Sequence, residues 1–334
     1  MKNKIEVPII TSHQYYALPL SIIYSNATIK PWIYSEFIQM HTYRGREDER
    51  MHVNLYNNKN ERFLYEPLYT TMSPYKQFVG GNDVICVFKC LLNDEQYIYD
   101  FVDHFYIRSF GINEHFIHDI LIYGYDDDLQ VFYAYAYHGT KLSEFDIPYS
   151  EYEAAYNSDY QKEKSHLTLL YRKKDERFYP NICRIGYHLL DYLNGINTYN
   201  RESPLSVDLY KPIFGLEVYD ELKYNLQYMR DWNLRIDIPD MYCVYDHKKF
   251  MHERVVYLDE HTDVKCPDDL KSKFAEIENA GRIMIMLVMK LNRIGLSNET
   301  DYNNLMRRFD RMKELEKEAF TNYYEYNRSV FENA

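Results

Sequence analysis

Between Ile117 and Tyr137 the chain reads IHDILIYGYDDDLQVFYAYAY. Two runs crowded with aromatic and β-branched residues flank Asp126-Asp127-Asp128. Such side chains fit a pleated, largely buried surface, while three consecutive carboxylates belong in water, so the pattern predicts a β-hairpin. Tyr97 to Ile107 (YIYDFVDHFYI) has the same character and predicts the strand before it, and Leu142 to Ile147 predicts a further edge strand.

Helical signals surround these strands. Gln14 to Tyr24 (QYYALPLSIIY) reads as a first helix, followed by a short element over Trp32 to His41 and a polar excursion over 43–62. Asp83 precedes Val84, Ile85, Val87, Phe88, Leu91 and Leu92, the spacing of a capped helix. Cys86 and Cys90, four apart on that helix, are expected to pack in the core as small hydrophobes. Ser150 to Tyr156 starts like a short capped helix, and the chain turns polar from Asn157 apart from an apolar run at Leu167 to Tyr171.

Beyond that point the period changes from two to between three and four. Ile182, Ile185, Leu189, Leu190 and Leu193 precede Gly195, and Leu216, Tyr219, Leu222, Leu226 and Met229 repeat at helical spacing. Asp268 to Ile294 and Glu299 to Phe331 read as two long helices joined by Gly295-Leu296-Ser297-Asn298, a closing helical hairpin. The expected fold class is therefore α+β. A domain with an antiparallel sheet and packed helices covers 1–156, and a mainly α-helical domain covers 157–334, with the boundary near 155–165.

Charge and composition narrow the function classes. The net charge is −12, and basic residues are interleaved with acids, as in Arg172-Lys173-Lys174-Asp175-Glu176-Arg177; no concentrated basic face for nucleic acid is expected. The longest apolar stretch, Ile283 to Leu291, falls far short of the ~20 residues that span a bilayer, which predicts no membrane partner. The start MKNKIEVPIITSH lacks a signal-peptide apolar run, and the five cysteines form no spaced framework, so reduced thiols in the cytoplasm are expected. The only glycine pair, Gly80-Gly81, has no Gly-Lys-Ser/Thr after it and no GxSxG elbow exists, so no nucleotide and no other cofactor is expected. Asp103, His104, His115, His118 and Asp119 are metal-type ligands. Residues three apart on a strand point to opposite faces, however, and no metal is expected at His115 and His118.

The chemistry-bearing stretch is Glu114 to Asp126, where His118 opens an apolar strand that ends in Gly124-Tyr125-Asp126. This arrangement resembles that of papain-like enzymes, in which a histidine at the end of a sheet is the general base that activates a thiol presented at the N-terminus of a helix early in the chain. This HDILIYGYD hairpin, with Val102-Asp103-His104-Phe105-Tyr106 before it, resembles the N-terminal domain of the butirosin-biosynthesis acyltransferase family, which has a papain-like, cysteine-peptidase-type fold. The likeness covers roughly residues 7–156 and extends to Tyr245-Asp246-His247-Lys248-Lys249-Phe250-Met251, similar to an EHK…M segment of the family's second half.

The resemblance implies an acyltransferase-like, amide-forming enzyme of specialised metabolism. Its donor would be an acyl or peptidyl carrier-protein thioester and its acceptor a small-molecule amine. It implies His118 as base and Asp103 as the polar group that positions it or the amine, with Gln14, Tyr15, His115 and Tyr137 on the substrate side. Asp126 and Asp146 are alternative acid partners for His118. The family's cysteine would fall within Ser12-His13-Gln14-Tyr15-Tyr16, where none exists; Gln14 or His13 fills the slot, with Ser12 close by as a hydroxyl substitute. The loss of the thiol leaves a second reading, a non-catalytic scaffold that binds a carrier protein or a synthetase. Arg307, Arg308, Arg311, Lys313 and Lys317, interleaved with Glu314 and Glu316, read as a solvated helix face that could also dock an acidic carrier.

Overall fold

A computed structural model describes residues 1–43, 51–56, 65–74, 83–139, 141–161, 166–202 and 212–334. In chain order its elements are helix α1 (Gln14–Tyr24), strands β1 (Met40–Thr42), β2 (Val53–Leu55) and β3 (Leu68–Pro74), and helix α2 (Val84–Asn93). Strands β4 (Tyr97–Asp103), β5 (Ile117–Asp126), β6 (Val131–His138) and β7 (Lys141–Pro148) follow, then helix α3 (Tyr149–Tyr156) and strand β8 (His166–Arg172). Helices α4 (Ile182–Asn194) and α5 (Tyr199–Glu202) lead to strand β9 (Ile213–Phe214). Helices α6 (Val218–Asp231), α7 (Ile238–His261), α8 (Asp268–Ile294), α9 (Glu299–Tyr326) and α10 (Arg328–Asn333) complete the described chain.

The chain divides into two units, Met1–Lys30 with Glu61–Phe178 and Pro31–Asn60 with Tyr179–Ala334. This differs from a single cut near residue 156, and strand pairing is the reason. β8 lies between β3 and β4 and so belongs to the first sheet, whereas β1, with β2 on one edge, pairs on the other with β9, far along the chain. Pairing at such separation leaves no local trace in sequence.

In the first unit six antiparallel strands run in the order β3-β8-β4-β5-β6-β7. The β5–β6 hairpin forms as its sequence predicts, with Asp126 accepting from the backbone N–H groups of Asp128 and Leu129 to close the turn. Ile98, Val102, Ile120, Ile122, Phe132, Ala134 and Ile147 make one core with Val84, Phe88 and Leu92 of α2 and Tyr149, Tyr152 and Ala155 of α3. Asp83 caps α2 through the amides of Ile85 and Cys86. Cys86 and Cys90, expected in this core, are exposed, because the stripe at 84, 88 and 92 is the one turned inward. At Gly124 the β5–β6 register shifts and the backbone of Lys2 presses close; a Cβ there would come within 2.5 Å of the Met1 carbonyl oxygen. α1 is almost wholly buried and touches β5, β6 and β8.

The second unit joins the small antiparallel sheet β2-β1-β9 to the helices. Gly195, left-handed at φ +62°, ends α4 as predicted. α8 and α9 form the expected hairpin, but the second helix stops at Tyr326 rather than running to Phe331. Asn327 breaks it, and its side chain bonds both the N–H and the C=O of Lys265 at 2.7 Å. α7 was visible in sequence only as the segment 245–251, since its buried positions include Asp246, His247, Lys248 and Arg254, which blur the apolar stripe that announces a helix. The polar excursion over 43–62 lies outside the described residues except at 43 and 51–56, where β2 forms, and Gly80-Gly81 lies outside them too. Among the described residues, no helix is long and apolar enough to cross a membrane.

Candidate functional site

The candidate site lies in the first unit, where β5 outruns its pairing with β6. The β5–β6 register runs from Asp126↔Val131 to Leu121↔Tyr135; continued by two residues it would set Asp119 opposite Tyr137. The N-terminus of α1 enters there instead. The backbone N–H of Tyr137 donates to Gln14 Oε1 at 3.0 Å rather than to β5.

Gln14 is the first residue of α1 and is 7% exposed. Because its Oε1 is taken by Tyr137, its Nε2 is fixed on the other side, where it donates to Asp119 Oδ1 at 2.7 Å and meets His118 Nδ1. His118 Nδ1 lies 2.8 Å from the same Asp119 oxygen, and the Tyr99 hydroxyl donates to Asp119 Oδ2. Asp119 is thus a buried carboxylate with a ring nitrogen, an amide and a phenol around it, the satisfaction a buried anion requires.

The carboxylate beside His118 is Asp119 and not Asp103. Asp103, wholly buried at the end of β4, holds His115 Nδ1 at 2.7 Å, accepts from Ser158 Oγ at 2.7 Å, and accepts from the amides of Phe105 and Phe116. Burial works to raise Asp103, but these hydrogen bonds outweigh it and hold its carboxyl below the usual range. It ties the 104–116 connection to the sheet end. Asp126 serves the hairpin turn and Asp146 is exposed on β7, so neither orients His118. Asp119 was missed as the partner because neighbours on a strand point to opposite faces; at this open strand end the two side chains meet across the Gln14 amide.

The other expected residues are placed as follows. His13 occupies the N-cap of α1 without a side-chain cap bond, and its ring stacks on Tyr15 at 4.9 Å. Ser12 precedes it and is half-buried. Of the three residues read into the nucleophile slot, Gln14 is in contact with the His118 imidazole. The Tyr15 carbonyl accepts from the Tyr65 hydroxyl. His115 stacks on Tyr160 at 3.8 Å and packs against Phe105 at 4.4 Å, on the Asp103 side.

Two aromatic rings flank the imidazole, whose side chain remains 38% exposed. Phe116, half in solvent, lies over His118 at 5.0 Å, and His104 approaches at 5.7 Å while stacked on Phe110. Burial, aided by His118, pushes His104 down to about 4, so it is a neutral packing ring near neutral pH.

A carboxamide has no nucleophilic lone pair on nitrogen and no proton that imidazole can remove. The group facing His118 therefore cannot form an acyl-enzyme. The geometry holds the imidazole against the Gln14 amide and the Asp119 carboxylate. No family model matches the chain, and neither does any curated protein.

Proposed function

We propose that the first unit is a papain-like module that has lost its nucleophile and works by binding, as a non-catalytic partner of an acyl or peptidyl carrier protein or of its synthetase. Gln14 carries this reading. The residue at the helix N-terminus, facing a histidine on an antiparallel sheet, is where such a fold presents its thiol, and here that residue is a carboxamide pinned by Tyr137 and spent on Asp119. The partner class rests on the hairpin sequence from His118 to Asp126 and its likeness to the carrier-dependent acyltransferases. In the second unit Lys223, Lys273 and Lys313 are paired with Asp310, Glu318 and Asp220.

The test incubates the purified chain with an acyl-loaded carrier protein and an amine, following both complex formation and thioester loss. A saturable complex without thioester consumption is expected, and it persists in the His118→Ala variant. Turnover by the wild-type chain that His118→Ala abolishes would restore the enzyme reading, by way of general-base attack of the amine on the thioester. Absence of a complex overturns the partner assignment.

A further inference from the structure

At the start of α7, in the second unit, Asp237 and Asp240 meet His52, with one ligand atom from each within 4.8 Å of the other two. Asp240 is 4% exposed. Its Oδ1 accepts the Val53 N–H at 3.1 Å, which ties the backbone next to His52 against the carboxylate and holds the imidazole Nδ1 3.6 Å from the same oxygen. The site is therefore built by a backbone hydrogen bond between two distant segments, with Asp240 buried at its base and His52 open to solvent.

Asp237 sits at the N-cap, a position at which aspartate ordinarily accepts from the N2 or N3 amide. It makes no such bond, and Pro239 at N2 has no N–H to offer. Its carboxylate instead faces Asp240. A helix N-terminus supplies about half a positive charge. Two carboxylates and one imidazole converge at that helix end.

We propose that His52, Asp237 and Asp240 bind a divalent transition-metal ion of the zinc class, with the remaining coordination position open to water. Two carboxylates balance the charge of the ion. The imidazole selects a borderline ion over the harder magnesium or calcium, which prefer all-oxygen shells. This inference is independent of the reading of the Gln14 site.

Isothermal titration of the full chain with Zn²⁺, repeated with Co²⁺ for its visible absorption, tests the assignment. Saturable binding is expected with a cobalt band, and His52→Ala and Asp237→Asn should each weaken it by about tenfold or more, since even supporting residues of metal sites cost that much. Both side chains reach solvent and Asp237 caps nothing, so thermal melting should show each variant folded. No saturable binding by the wild type, or unchanged affinity and cobalt spectrum in either variant, overturns the proposal.

Discussion

The backbone N–H of Tyr137 donates to Gln14 Oε1 at 3.0 Å, and this bond decides which end of the Gln14 amide faces Asp119. A strand that stops pairing with its neighbour gives its spare donor to a helix N-terminus, and the helix closes the gap between β5 and β6.

Gln14→Leu removes the amide while keeping bulk. Asp119 then loses a donor in a buried place and the Tyr137 N–H loses its acceptor, a loss of about 1–3 kcal/mol for each unmet buried group. Urea unfolding should show the midpoint falling with the slope unchanged, and Gln14→Glu should fall further because it sets a second carboxylate against Asp119.

Lys248 and Glu316 form an ion pair of 2.5 Å with both side chains fully buried, and Tyr192 and Tyr219 donate to the far oxygen of Glu316. Lys248→Met strands the carboxylate and should cost about 3–5 kcal/mol. The double variant Lys248→Met/Glu316→Leu should recover most of that loss in the same urea titration, because the uncompensated charge is gone.

His41 and His104 are each pushed down to about 4 by burial, and His41 Nδ1 and His104 Nε2 are buried without a hydrogen-bond partner. The folded chain keeps them neutral while the unfolded chain binds protons below its ordinary value of about 6.5. The unfolded state therefore holds more protons between about pH 6.5 and 4, and stability falls as pH drops through that window. His104→Phe, which keeps the stack on Phe110, should flatten this slope in pH-dependent unfolding.

Glu202 acts at lower pH. Burial works to raise it, but His188 and Arg184, with the Tyr56 hydroxyl, bring it down to about 2. Its depressed value contributes stability that is present above the unfolded value of about 4.3 and is lost as pH falls toward 2. Glu202→Gln should lose stability at pH 7 and show a shallower acid limb below pH 4.

Cys86, Cys90 and Cys183 are exposed, whereas Cys243 and Cys266 are buried and burial pushes the Cys266 thiol up to about 12. An aromatic disulfide reagent should titrate the first group quickly in the native protein and the second only in denaturant. Fast reaction of Cys243 or Cys266 would contradict the packing of α7 and the segment after it.

What the sequence determined by itself is what local chemistry dictates. Alternation and the Asp126-Asp127-Asp128 turn set the β5–β6 hairpin, Asp83 sets the start of α2, Gly195 stops α4, and the link at 295–298 sets the α8–α9 hairpin. Each signal lies within a few residues of the structure it specifies. The tertiary structure alone decided what depends on distant partners. Gln14 meets His118 across 104 positions, β1 pairs with β9, and α7 buries charged residues whose counter-charges lie elsewhere in the chain. A buried polar residue looks like a surface residue until its partner is known, which is why the partners of Asp119, Lys248 and Asp240 could be read only from the fold.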